Sequence, residues 1–172
     1  MKDYYTIRPP VSRKLGPASP VLVRHDSRPT LHRYVEALAL CFKKELHFGQ
    51  VAFRAAEAKE DQAFEAWLFH TQADDYVTDD DYENGAMRMP RRVIGVACFR
   101  QFEGALPNEW SLEWVWFHPY VRGRNDLRKA WVKWEERYGQ FKVEEPLSSA
   151  MIRFLATVRP SAARGLLPGD AR

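Results

Sequence analysis

Apolar positions along this chain change period from segment to segment, and each period predicts an element. From Thr30 onward Leu31, Tyr34, Val35, Leu38, Cys41, Phe42 and Leu46 recur at three- and four-residue steps, which predicts an amphipathic helix ending near Gly49. Upstream, residues 21–23 are apolar, mostly β-branched and bounded by Pro20 and Arg24, which suits a first strand. Residues 51–61 are rich in Ala, Glu and Lys and could form a second short helix, and residues 64–71 read as an aromatic-rich strand. Residues 92–102 are nearly continuously apolar at their centre, the pattern of a strand covered on both faces, so this strand is expected in the middle of a sheet.

Strict alternation over residues 110–117 predicts a further strand with Trp110, Leu112, Trp114 and Trp116 on one face and Ser111, Glu113, Val115 and Phe117 on the other. A helix over residues 126–138 then presents Leu127, Ala130, Trp131, Trp134 and Tyr138 as one stripe. Asn125 or Asp126 can cap its first turn, and Gly139 stands where a positive φ is expected. Residues 141–144 suggest a short strand, and Pro146 and Ser148 introduce a last helix with Met151, Leu155 and Val158 inward. The element order predicts an α/β fold: a mixed, mostly antiparallel central sheet flanked by helices, not a bundle or a sandwich. Its proline-rich start (residues 1–20) is expected as an extended arm, residues 21–158 as one domain, and residues 159–172 as a mobile tail.

Composition adds limits. The 172 residues, 45% of them hydrophobic, suffice for one domain with a core. The net charge of +3 is too mild for a protein that coats polyanions, so a nucleic-acid partner is not indicated. Cys41 and Cys98 lack CxxC spacing, and a reducing cytoplasm fits them; no apolar run is long enough to span a membrane, and the first twenty positions lack a signal peptide's apolar stretch, so a soluble, unexported protein is expected. The five histidines show no ligand spacing, so no metal is expected. The acids from Asp74 to Glu83 fail as a calcium loop. They could attract a cationic amine at a substrate entrance, although a solvated, mobile hairpin loop is the plainer reading.

The segment with most chemical content is EWVWFHPYVRGRNDLRKAW, residues 113–131. A buried strand runs into an Arg-Gly-Arg-Asn loop and directly into a helix, so unpaired N–H groups collect at a positive dipole end beside Arg122, Arg124, Arg128 and Lys129. Gly123 permits close backbone approach; an ordinary strand-to-helix turn with solvated arginines is the plainer alternative.

Here WFHPYVRGRNDL resembles the GCN5-related N-acetyltransferase (GNAT) superfamily, through Phe117, Pro119, Arg122 and Gly123. It departs from that pattern at Asn125 and Leu127, where the family has small residues. Asn tolerates a left-handed backbone, whereas Leu127 avoids crowding a diphosphate only by turning toward the core.

The resemblance implies transfer of an acetyl group from acetyl-CoA to a primary amine by direct attack. The edge of Val115, Trp116 and Phe117 would pair with the pantetheine arm, and the N–H groups of Arg122, Gly123, Arg124, Asn125 and Asp126 would hold the diphosphate. Glu113 is the expected base: an isolated carboxylate in an apolar strand has its pKa raised by desolvation, unless it pairs with an arginine or points to solvent. The N–H of Val115 or Trp116 would stabilise the oxyanion. Family members carry a tyrosine early in the last helix to protonate the thiolate. This chain has no Tyr after Tyr138, which leaves Ser148 or water for that role, with Ser148 also suited to capping the helix. A homodimer would be compatible with this architecture. The rival expectation is a non-catalytic protein on the same scaffold that recognises a protein or nucleic acid.

Overall fold

The computed structural model describes residues 8–47, 53–83, 88–101 and 109–159. In chain order the elements are β1 (Val11–Ser12), β2 (Val21–Val23), α1 (Pro29–Leu46), β3 (Phe64–Gln72), α2 (Asp79–Glu83), β4 (Arg91–Arg100), β5 (Ser111–Phe117), α3 (Asp126–Tyr138), β6 (Lys142–Val143) and α4 (Ser149–Val158). They build the mixed, mostly antiparallel sheet expected, flanked by helices. Its strands run β2-β3-β4-β5-β6, with β1 also paired to β4. Every pairing is antiparallel except that of β5 with β6, which is parallel.

Alternation along the central strands splits the core into two layers. Ala66, Leu68, Val96 and Cys98 pack with Val35, Leu38 and Phe42 of α1. Ala97 and Phe99 face the other way, toward Ala130, Trp131, Trp134 and Tyr138 of α3 and Leu155 of α4. Burial of such large side chains contributes about 1.5–3 kcal/mol each, so these two layers dominate stability. α1 starts on Pro29, whose missing N–H is no loss in a first turn. It ends at Leu46, with His47 in the left-handed region (φ 58°) as its cap.

In β5 the predicted alternation breaks. Cys98 pairs with Trp114 but Phe99 pairs with Leu112, so Glu113 is an extra residue in a β-bulge. The bulge reverses the faces: Trp114 and Trp116 lie in the α1 layer, whereas Leu112 and Val115 pack in the α3 layer. The expected face of Trp110, Leu112, Trp114 and Trp116 is therefore wrong, because an inserted residue shifts the period of 2 by one step.

Three other expectations change. Residues 55–60 form turns closed by i to i+3 bonds, Glu57 N–H to Arg54 O and Glu60 N–H to Glu57 O, and not the second helix; the rest of that expectation, residues 51 and 52, lies outside the described residues. Part of the arm joins the sheet: β1 lies beside β4 at Arg91 and Arg92, past the end of β5, and Leu15 is buried. The acidic segment is not simply solvated. Asp81 is buried and takes two hydrogen bonds from Arg13, while Asp75 pairs with Arg92, so the acids anchor the N-terminal segment and the start of β4. The expected tail, apart from Arg159, lies outside the described residues, as do residues 1–7 of the arm.

Candidate functional site

β6 stops short. It pairs with Ser111 and Leu112, the Glu144 N–H reaches Leu112 O at 3.0 Å, and the chain then turns away into α4. From Glu113 to Phe117 that edge of β5 has no strand beside it among the described residues. The His118 N–H donates to Ile94 O of β4, so antiparallel alternation aims the N–H groups of His118 and Trp116 at β4 and those of Phe117 and Val115 outward. Of the two amides expected to serve an oxyanion, the geometry selects Val115; that of Trp116 is committed to the sheet.

The gap between the open edge and α4 is a groove of about 480 Å³, within the usual range for ligand sites. Its floor includes Val115, Trp116 and Phe117, and its end wall is the loop from Arg122 into α3. Gly123 (φ +80°) and Asn125 (φ 63°, ψ 11°) give the loop its two left-handed turns. Asn125 thus adopts the backbone its amide side chain tolerates, but that side chain does not cap the helix. The first helical bond is Lys129 N–H to Asn125 O, so the amides from Gly123 to Arg128 have no partner among the described residues and open onto the groove. Leu127 turns its side chain against the α3 core layer while still lining the groove.

Arg122 departs from its expected role. Its N–H is turned to Pro119 O at 3.4 Å. Its guanidinium donates to Phe117 O at 2.8 Å and in a two-pronged pair, at 2.7 Å each, to the carboxylate of Glu45. Arg122 is therefore a brace between the end of α1 and the end of β5, and the amides that can hold an anion begin at Gly123. Glu45, nearly buried, also accepts from Trp116 Nε1 at 2.7 Å. Burial opposes its ionisation, but the hydrogen bonds from Arg122 and Trp116 outweigh that and hold the carboxyl below its ordinary pKa. Nothing in the sequence singled out Glu45, which sits among Lys43, Lys44 and Leu46 like any polar residue on the outer side of a helix.

Glu113 is not isolated. Its Oε2 accepts from Arg100 Nε at 3.2 Å, and Arg100 in turn donates to Asp61 at 2.6 Å. The arginine partner is thus the alternative that applies. The bulge nevertheless sets Glu113 on a second, smaller cavity of about 50 Å³, which shares Leu46, Val115, Ser148 and Met151 with the large groove. Ser148 caps α4, its Oγ accepting the Met151 N–H at 3.2 Å, and its hydroxyl proton remains available to donate where the two cavities meet. His118 is buried at the strand end, its Nδ1 accepting the Tyr120 N–H.

Among the described residues no group of three His, Cys, Asp or Glu side chains could hold a metal ion, and no helix is long and apolar enough to cross a membrane. No family model matches the chain, and no curated protein matches it. A solved structure with some likeness is integron cassette protein VCH_CASS6, from the mobile metagenome of V. cholerae; it is 12% identical, with 90% of this chain and 88% of that one covered, at a TM-score of 0.40.

Proposed function

We propose that the protein is a GNAT-like N-acetyltransferase that moves an acetyl group from acetyl-CoA to a primary amine. The observation that carries this reading is the continuity of one groove. Among the described residues, a strand edge left open from Glu113 to Phe117 leads directly to a row of unpartnered amides, from Gly123 to Arg128, at the start of a helix. An extended amide-bearing arm fits the first, and a diphosphate fits the second. Arg124, with no ion pair among the described residues, adds positive charge at the groove wall.

Acetyl-CoA, when bound, supplies the thioester carbonyl. The chain's own residues would then act around the point where the two cavities join. Glu113 takes a proton from the amine, and the outward Val115 N–H receives the charge that develops on the carbonyl oxygen. Ser148, or water, returns a proton to the departing sulfur. A C–N bond forms as the C–S bond breaks, the sulfur keeps the bonding pair, and an ammonium substrate releases one proton overall. Arg100 occupies Oε2 of Glu113, so the acceptor must be held close to the other carboxylate oxygen.

Calorimetry and thermal shift with acetyl-CoA and with desulfo-CoA test the reading. Binding of both is expected; absence of heat and of any shift at millimolar ligand would remove its basis. Given binding, Glu113→Gln should lower turnover by about 10²-fold or more with little change in acetyl-CoA affinity. Retention on DNA or RNA without CoA binding would instead support the non-catalytic alternative.

A further inference from the structure

The second cavity differs from the first in width and in charge. Its 50 Å³ lies open at the surface beside the bulge, walled by Phe42 and Trp114, whose rings touch with centroids 5.7 Å apart, and by Leu147 and Met151. A water-sized group needs about 10–15 Å³ of such space, so the slot holds about four groups. A fused ring or a sugar has more heavy atoms than that space holds. Two carboxylates border it. Glu144 has no ion pair among the described residues, and Glu113 engages Arg100 and the Cys98 thiol through Oε2 alone, leaving Oε1 without a partner among them. Apolar walls with carboxylates beside them suit a slender methylene chain that ends in an ammonium group, and they repel an anionic acceptor.

We infer that this slot is the acceptor site and that it selects an unbranched aminoalkyl chain, of the kind found in a linear alkylamine or a lysine side chain, against ring-bearing amines and aminosugars. The inference rests on the acyl-transfer reading. Phe42, Trp114, Leu147 and Met151 enclose the methylenes. Glu144 meets the ammonium first, and Glu113 Oε1 receives its proton as the nitrogen reaches the junction with the groove.

Acetyl transfer is followed as thiol release and product mass, with acetyl-CoA and four acceptors: n-butylamine, a lysine capped at both ends, cyclohexylamine and kanamycin. Binding of acetyl-CoA is measured separately by calorimetry. The expected result is a kcat/KM at least tenfold higher for butylamine and capped lysine than for the other two. Glu144→Gln should raise the butylamine KM several-fold with unchanged acetyl-CoA affinity, and Leu147→Ala should narrow the discrimination against cyclohexylamine. Acceptance of capped lysine but not butylamine would assign the chain to a peptide source, and acceptance of both to free amines as well. Equal use of cyclohexylamine or kanamycin, or no transfer to either linear amine despite normal acetyl-CoA binding, overturns the slot alone. Failure of acetyl-CoA to bind overturns the acyl-transfer reading and the slot with it.

Discussion

Gly95 lacks a side chain where Phe117 needs the space: a Cβ built on it would lie 2.4 Å from the Phe117 ring. Phe117 is also the residue whose carbonyl holds Arg122, so the contact reaches the loop that leads into α3. Gly95→Ala is expected to destabilise the fold by about 1–3 kcal/mol, since the ring must leave its place in a packed layer. A fall in the urea midpoint at unchanged slope checks this, and an unchanged midpoint refutes it. Single residues were legible in the sequence where the backbone alone decides their role. Asn125, read as able to tolerate a left-handed backbone, adopts one, and Gly139 has the positive φ expected after its helix. Ser148 was read as a possible cap because a hydroxyl before an apolar helical stripe can reach the first-turn amides, and it does so. Glu113 could not be read the same way. Its partner Arg100 sits on the neighbouring strand, and cross-strand register is a property of the pair, not of either strand.

Among the elements, β5 determines the site. Its bulge splits the tryptophans from Leu112, and its short pairing with β6 leaves the edge open where the groove lies. The helix on one side is tied to that edge by Glu45. Removing this carboxylate leaves the Arg122 guanidinium without its anion and Trp116 Nε1 without an acceptor. Glu45→Ala is therefore expected to weaken acetyl-CoA binding by about tenfold, roughly 1.4 kcal/mol, although Glu45 stands outside the row of free amides. Calorimetry on the variant checks this, with Glu45→Gln, which keeps an acceptor for Trp116, expected to fall between the two. Equal affinity in all three proteins would show that the brace does not shape the corner. Helices α1, α3 and α4 were legible from their stripes, because a 3.6-residue period is written within each segment. The bulge was not, because inserting one residue into an apolar strand leaves its composition unchanged.

For the whole molecule, acid sensitivity follows from groups held away from their ordinary protonation. Burial pushes the His70 imidazole below its usual 6.5, and the charge of Arg91 adds to this, outweighing the hydrogen bond to Ala18 O. The unfolded chain therefore binds a proton there before the folded one does, so this contribution is present above pH 6.5 and is lost as pH falls. Glu45 and Glu65 are held below 4.5, in each case because hydrogen bonds, from Arg122 and Trp116 or from Arg137 and Tyr138, outweigh the burial that opposes ionisation. Their contribution is lost as pH drops below 4.5. The urea midpoint should be level from pH 6.5 to about 8, fall gently below pH 6.5 and steeply below pH 4.5. In His70→Gln the gentle phase should vanish; its persistence would assign that phase to another group. His70 also shows how the N-terminal segment enters the fold, since its ring Nε2 lies 2.7 Å from Ala18 O and its backbone N–H donates to Ser19 Oγ in the segment before β2. By itself the sequence determined helices α1, α3 and α4, the central strand, the α/β class and a residue able to take a left-handed backbone at Asn125, because those follow from period and from the conformational range of each residue. Only the tertiary structure decided which strand edge stays open, which acid meets which arginine and where the second cavity forms. Those depend on register and on contacts between residues far apart in the chain, such as Glu45 with Arg122, that no local pattern records.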